Sequence, residues 1–277
     1  MKSIKNLESE IKALAEAGWK IKEVAEKLNL CKETVRRRFV SLGIKPTKGI
    51  ARTYSLSNVP EDLKQLILGS LLGDGTFTKA CETAYCMTIV HSEKQLEYLK
   101  FKENILKKYN LSSGIKQMVT FDKRYKHDYV TYRLRSRTNA IFKEIRSTFY
   151  STNCKNITDT SIFKDLSPLG LAIWYMDDGY VTRSSCIFST VSIPTETQEK
   201  IAEILLHNFD LHFTVGHNDN SMYLCTSDFE KFKTIIAPYI TEDLQYKLVP
   251  YKYRVLDKSD ELLESCDANQ QPSLGSA

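Results

Sequence analysis

At 277 residues, with 42% apolar side chains that include 12 Phe and 15 Tyr, the chain can bury a substantial core, which excludes a disordered or low-complexity protein. It has no run of about 18 apolar residues, and the opening Met1, Lys2, Ser3, Ile4, Lys5 leads into no apolar signal core; no membrane partner is expected, and the expected location is intracellular, in cytoplasm, nucleoid or an organelle. The net charge of +5 is unevenly divided, with 12 basic against 6 acidic residues over 1–48, 19 against 12 over 49–165 and 8 against 16 over 166–277, so the first two-thirds suit a polyanion.

Seven cysteines at 31, 81, 86, 154, 186, 225 and 266 lack paired metal-ligand spacing, which argues against a disulfide framework or a zinc site. The first 47 residues read as three short helices, an amphipathic one ending near Gly18, a second over Ile21 to Leu28 and a third from about Lys32 to Leu42. Val24, Leu28, Leu30, Val35 and Phe39 can form one miniature core, and Ala25 is small where a crossing helix must approach. This arrangement resembles a helix-turn-helix. Thr34, Arg36, Arg37 and Arg38 fall outside that core, where they could read base edges or neutralise phosphates in a major groove; the plainer alternative is a small interaction bundle whose arginines form a solvated face.

Residues 48–59 read as a linker, and Pro60, Glu61 and Asp62 suit the first turn of a helix. From there the chain repeats itself. One half, 60–165, reads as a helix ending Leu72-Gly73-Asp74-Gly75, strands through Tyr85 to Val90, a helix near Gln95 to Tyr109, strands to Arg135 and a helix from Ala140 to Phe149. The other, 166–257, follows the same order, with a helix ending Met176-Asp177-Asp178-Gly179, strands over Cys186 to Ser192, a helix from Thr195 to Phe209, strands to Cys225 and a helix from Phe229 to Ile236. Phe142 and Phe232 fall in register, as do Lys155 and Lys247. Residues 258–277 read as an acidic, disordered tail.

The segment Leu66 to Gly75 is apolar on every side and stops in an acid followed by glycine. Gly69 and Gly73, four apart, clear one face for a closely packed second helix, and Leu169 to Gly179 supplies it, with Ala172 as its small residue. An aspartate at a helix C-terminus sits in the negative end of the macrodipole, a placement that costs up to about 1 kcal/mol, so something positive should compensate. Parallel packing would bring Asp74 and Asp178 to one edge, where two carboxylates favour a hard divalent cation such as magnesium, suited to metal-assisted phosphodiester hydrolysis. The competing reading is that each Asp-Gly only ends its helix in a left-handed turn.

Both segments resemble the LAGLIDADG motif, degenerate in the first copy and rewritten in the second, over about residues 60–257. The resemblance implies an α+β fold of two pseudo-symmetric αββαββα halves with saddle-shaped antiparallel sheets on double-stranded DNA, the small all-α unit lying outside it. It implies a site-specific homing endonuclease, expected as a monomer on a long target site, that uses Mg2+, with Mn2+ as a substitute and Ca2+ supporting binding without cleavage. The family's catalytic acid falls on Asp74 and Asp178. Gly73 and Asp177 are the neighbouring positions of the metal set, and Asp177 is expected at its periphery, because adjacent residues cannot both point into one small site. The family's lysine falls on Lys155 and Lys247, and His91 and Gln95 could order water. Alternation along the strands offers Lys116, Arg124, Lys126, Arg133, Arg135 and Arg137 in the first half, with Arg183 and Asn218 in the second, as DNA contacts. Two competing functions remain: an RNA splicing cofactor of the same fold, and a non-cleaving transcriptional regulator. Retention of both acids favours the nuclease.

Overall fold

The structure, a computed structural model, describes residues 4–16, 19–44, 53–82, 84–122, 124, 126–151 and 154–250. The expected features at Gly18, at most of the linker before residue 53, at Asn153, over 251–257 and in the acidic tail lie outside the described residues. The chain divides into two compact units, Met1–Thr53 and Tyr54–Ala277.

In the first unit, helices α1 (Ile4–Glu16), α2 (Ile21–Leu28) and α3 (Lys32–Ser41) close over Ile11, Ala15, Val24, Ala25, Val35 and Phe39. Leu28, Leu30 and Trp19 pack against this core. Helix α2 ends because Asn29 adopts a left-handed conformation, φ 51°, one that asparagine tolerates better than most residues, and the Leu30 amide returns to the Ala25 carbonyl at 2.8 Å. Thr34, Arg36 and Arg37 are exposed as expected. Arg38 is not free to do the same, because it is paired with Glu8 at 2.6 Å and ties α3 to α1.

The second unit repeats one motif. Its first copy runs α4 (Glu61–Leu72), β1 (Thr76–Cys81), β2 (Ala84–Ser92), α5 (Leu96–Lys108), β3 (Ser112–Asp122), β4 (His127–Ser136) and α6 (Ala140–Phe149). Two-residue strands β5 (Tyr150–Ser151) and β6 (Cys154–Lys155) follow. The second copy runs α7 (Pro168–Asp178), β7 (Gly179–Val181), β8 (Cys186–Ser189), α8 (Thr195–Phe209), β9 (Phe213–Gly216), β10 (Ser221–Leu224) and α9 (Phe229–Ile236). The antiparallel sheets have the same order, β1-β2-β4-β3 and β7-β8-β10-β9, which makes the duplication a matter of topology as well as of sequence. The chain enters this unit tied to α6, since the Tyr54 amide donates to Asn139 and the Leu56 amide to Glu144, each at 3.0 Å. These residues of the expected linker therefore belong to the body.

Strand alternation sorts each sheet into two faces. On β2 and β4, Met87, Ile89 and Leu134 are buried beside Phe77 and Phe142, whereas the cross-strand pairs Thr88–Arg135 and Val90–Arg133 lie on the opposite face. Lys116 pairs with Arg133 on that same face. The copies differ in reach. Strands β3 and β4 have 11 and 10 residues against four each in β9 and β10, so at ~3.3 Å per residue the first copy projects a ribbon of about 36 Å and the second one of about 13 Å.

Candidate active site

Helices α4 and α7 meet at the centre of the second unit. Leu63, Leu66, Ile67, Leu68 and Leu71 on α4, and Leu171, Ile173, Trp174 and Tyr175 on α7, are wholly buried, as a helix apolar on every side requires. Each buried aliphatic side chain of this kind contributes about 1.5–3 kcal/mol relative to exposure. The helices are parallel, because successive positions of α4 meet successive positions of α7. Gln65 Oε1 accepts the Ser167 amide at 2.9 Å; a Cβ at Gly69 would lie 2.5 Å from the Gly170 carbonyl oxygen and 2.7 Å from Ile173 Cβ; one at Gly73 would lie 2.5 Å from Asp177 Cβ. The glycine spacing thus acts as the sequence implies, and the small residue it meets on α7 is Gly170 rather than Ala172.

Parallel packing delivers Asp74 and Asp178 to one end of the pair. With Gly73, Thr76, Tyr150 and Lys155 they line a cleft of about 620 Å³. The glycines after the two acids are not left-handed terminators, since neither Gly75 nor Gly179 has positive φ. They are glycines for space: a Cβ at Gly75 would lie 2.6 Å from the Ser70 carbonyl oxygen, and one at Gly179 would lie 2.0 Å from Tyr175 Cδ2. Each strand is folded back against its own helix, and this holds the acid at the helix end.

The compensating positive charge expected there is supplied by lysines. The Lys155 ammonium donates to the Gly73 carbonyl, which commits to the ammonium a carbonyl counted among the metal-site positions. Lys247 is buried and donates to the Met176 carbonyl at 2.7 Å, with the Tyr175 carbonyl at 3.4 Å, while the Tyr175 hydroxyl donates back to the Lys247 carbonyl at 2.7 Å. The repeat-related lysines are therefore unequal, one lining the cleft and the other lying beneath α7. Burial lowers the pKa of both, opposed by the nearby aspartates.

Asp177, expected at the periphery of the metal site, does not line the cleft. What the sequence does not foretell is its engagement: its side chain is fully buried, as is that of Lys102, whose ammonium it binds at 2.6 Å. The Tyr98 hydroxyl donates to the same carboxylate at 2.8 Å. His91 Nε2 lies 3.6 Å away, too long for a hydrogen bond, and His91 Nδ1 is 3.8 Å from Asp74. The Asp74 amide donates to the other Asp177 oxygen at 3.2 Å. Burial works to raise the pKa of Asp177, but the Lys102 ammonium and His91 outweigh it and hold the carboxyl well below the usual range. Breaking a buried pair of this kind by removing one partner costs about 3–5 kcal/mol.

Lys102 and Tyr98 escape a motif-based reading, although Lys102 stands on the apolar stripe of α5 with Tyr98, Leu99 and Leu106, and a lysine on a buried stripe needs a buried acid. Burial, with the charges of Asp177 and Asp74, raises the pKa of Tyr98 well above its ordinary value and keeps it a donor.

Among the described residues, no ammonium lies within hydrogen-bond reach of Asp74 or Asp178. Burial and then the charge of Asp177 raise the pKa of Asp74. Burial, followed by the charges of Asp74 and Asp177, pushes Asp178 up to about 7. Two oxygen-bearing acids in one cleft, each destabilised as an anion, fit a hard divalent cation. Among the described residues, Asp74, His91 and Asp177 also lie close enough to share an ion, but the ammonium already on Asp177 disfavours a cation at that carboxylate. Gln95, on the turn before α5, does not line the cleft.

On the open face of the first sheet, Lys116, Arg133 and Arg135 line a basic concavity. Arg137 lines it too but is engaged internally, donating to the Ser112 carbonyl at 3.2 Å and to Asn110 at 2.8 Å. Arg124 and Lys126 are exposed at the tip of the long ribbon, and Arg183 and Asn218 are exposed in the turns of the second copy. The described cysteines are free thiols. Among the described residues no helix is long and apolar enough to cross a membrane.

The profile of the LAGLIDADG DNA endonuclease family matches residues 64–232. The protein RecA of Mycolicibacterium flavescens is 26% identical over 207 residues, covering 67% of this chain and 46% of that protein, so the chain spans about half the length of this relative. Probable intron-encoded endonuclease 1 of Wickerhamomyces canadensis is 23% identical over 225 residues, 75% of this chain and 94% of that one. The solved structure of the homing endonuclease I-WcaI bound to its DNA recognition sequence superposes with a TM-score of 0.62 at 20% identity, covering 76% of this chain and 96% of that one; at that identity the likeness is one of fold.

Proposed function

The chain belongs to the LAGLIDADG DNA endonuclease family, and from that membership we propose that it is a site-specific endonuclease that hydrolyses both strands of a long double-stranded DNA target at the cleft between α4 and α7. The observation that carries this reading is the pair Asp74 and Asp178, one from each copy of the repeat, lining one cleft at the ends of parallel helices. Bound Mg2+, held by these two carboxylates, would lower the pKa of an attacking water and stabilise the leaving oxygen. Lys155, which lines the same cleft, places a positive charge where negative charge develops on the phosphate. Lys247 acts from beneath by satisfying the last carbonyls of α7.

The basic face of the first sheet supplies phosphate contacts through Lys116, Arg133 and Arg135, with the ribbon tip extending the footprint through Arg124 and Lys126. The exposed Thr34, Arg36 and Arg37 of the N-terminal helices suit a second DNA contact of helix-turn-helix type. The acidic second copy, with its short strands, gives less, so most of the affinity comes from the first copy and the N-terminal unit.

Mapping DNA ends after incubating the protein with candidate host genomic DNA tests the proposal. Breaks at one long site in magnesium, absent in calcium and absent with the Asp74→Asn/Asp178→Asn protein, are the expected result. Intact DNA that is nevertheless bound specifically would transfer the function to binding alone.

A further inference from the structure

The carboxylate of Asp177 has no role in the proposed hydrolysis, yet it is the most heavily engaged acid near the cleft. It comes from the second copy of the repeat, whereas its partners come from the first: His91 on β2, Tyr98 and Lys102 on α5, and the amide of Asp74 after α4. Room for it exists because residue 73 is glycine, and any Cβ there would overlap the Asp177 side chain.

The arrangement has no counterpart across the repeat. The buried cross-strand pairs Ile89–Leu134 and Phe188–Met222 set β2 and β8 in register 99 positions apart, and the buried stripes of α5 and α8 keep that register. On that register His91 becomes Thr190, Tyr98 becomes Thr197 and Lys102 becomes Ile201. Thr190 is buried as His91 is but donates its hydroxyl to the Asn220 carbonyl, Ile201 has no polar side-chain atom, and the position equivalent to Asp177 is Gly73. The amide of Asp74 is therefore held by a buried carboxylate from the opposite copy, and the second copy lacks the residues to hold Asp178 in the same way.

We propose that Asp177, braced by Lys102 and Tyr98, is a positioning residue that fixes the backbone at Asp74 and so aims that one carboxylate into the cleft, making the two strand-cutting acids unequal. The chemistry is hydrogen bonding within the chain: the carboxylate accepts from an ammonium and a phenol on one oxygen and from the Asp74 amide on the other. Its consequence for cleavage rests on the endonuclease reading given above, whereas its consequence for the Asp74 amide does not.

Two measurements on the full chain separate these parts. Hydrogen exchange of the Asp74 amide, followed by NMR without metal or DNA, should accelerate about tenfold or more in Asp177→Asn/Lys102→Met relative to the parent, with the exchange of the Asp178 amide unchanged. The paired substitution is used because Asp177→Asn alone would strand a buried ammonium; Lys102→Arg, which keeps the charge, should restore slow exchange beside Asp177. On a plasmid carrying the mapped target, the paired variant should cut one strand about tenfold more slowly and the other at nearly the parental rate, because misplacing one reacting group slows only the step it serves. Unaltered Asp74 exchange would overturn the proposal whether or not the parent cuts DNA, and equal slowing of both strands with a lowered melting temperature would reduce Asp177 to a purely structural strut.

Discussion

Single residues near the cleft are governed by whether their charge is paired. Asp177 is matched by Lys102 and stays ionised, whereas Asp178 meets burial and two other aspartates and is pushed from 3.8 up to about 7. A carboxyl whose pKa is higher in the folded state than in the unfolded one stabilises the fold fully below the unfolded value, and that contribution is lost as pH rises through the folded one. Without divalent ions, the melting temperature of the parent should therefore fall relative to that of Asp178→Asn as pH rises from about 4 to about 7, because the amide has no proton to lose. Thermal melts of the two proteins across this range check the point, and parallel curves would contradict the unpaired state of Asp178. Adding magnesium at pH 8 should stabilise the parent more than the variant, since a cation bound to the ionised acid replaces the missing partner.

At the scale of elements, the approach of α4 to α7 depends on glycines at 69, 73 and 170. Gly69→Ala puts a methyl group 2.5 Å from a backbone oxygen and 2.7 Å from Ile173 Cβ, neither of which is the free end of a flexible side chain. Overpacking of this kind costs about 1–3 kcal/mol, and urea denaturation should show a lowered midpoint with an unchanged slope; a variant as stable as the parent would mean the helices do not meet there. This contact was legible in the sequence because an all-apolar helix and a terminal Asp-Gly are local features that occur twice, and the four-residue spacing of Gly69 and Gly73 marks the face that packs. Strand alternation was equally legible in Ile89, Leu134 and the arginines opposite them. The engagement of Asp177 was not, because its partner Lys102 lies 75 positions away and only the parallel packing of α7 against α4 brings them together. Nor did the sequence separate the arginines with internal duties: Arg38 and Arg137 carry the same charge as their exposed neighbours, and only the positions of Glu8 and Asn110 in the fold claim them.

In the whole molecule, the second unit is a duplication that has become lopsided. Both copies keep one sheet order and one acid, while the first holds the long ribbon, the basic concavity and the Asp177 socket, and the second holds the acidic surface and short strands. On the proposed endonuclease reading, the shared cleft makes both copies necessary to one reaction, and the uneven surfaces give them different parts in binding DNA. The central claim is that Asp74 and Asp178 act together in that cleft. It is tested most directly by cleavage of a plasmid bearing the mapped target with Asp74→Asn and Asp178→Asn measured separately, alongside their affinity for the same DNA in calcium. The account predicts that each substitution lowers double-strand cleavage about 100-fold or more, a loss of the size seen when one transition-state stabilising group is removed, with affinity close to that of the parent. Cleavage by either variant at the parental rate would contradict it.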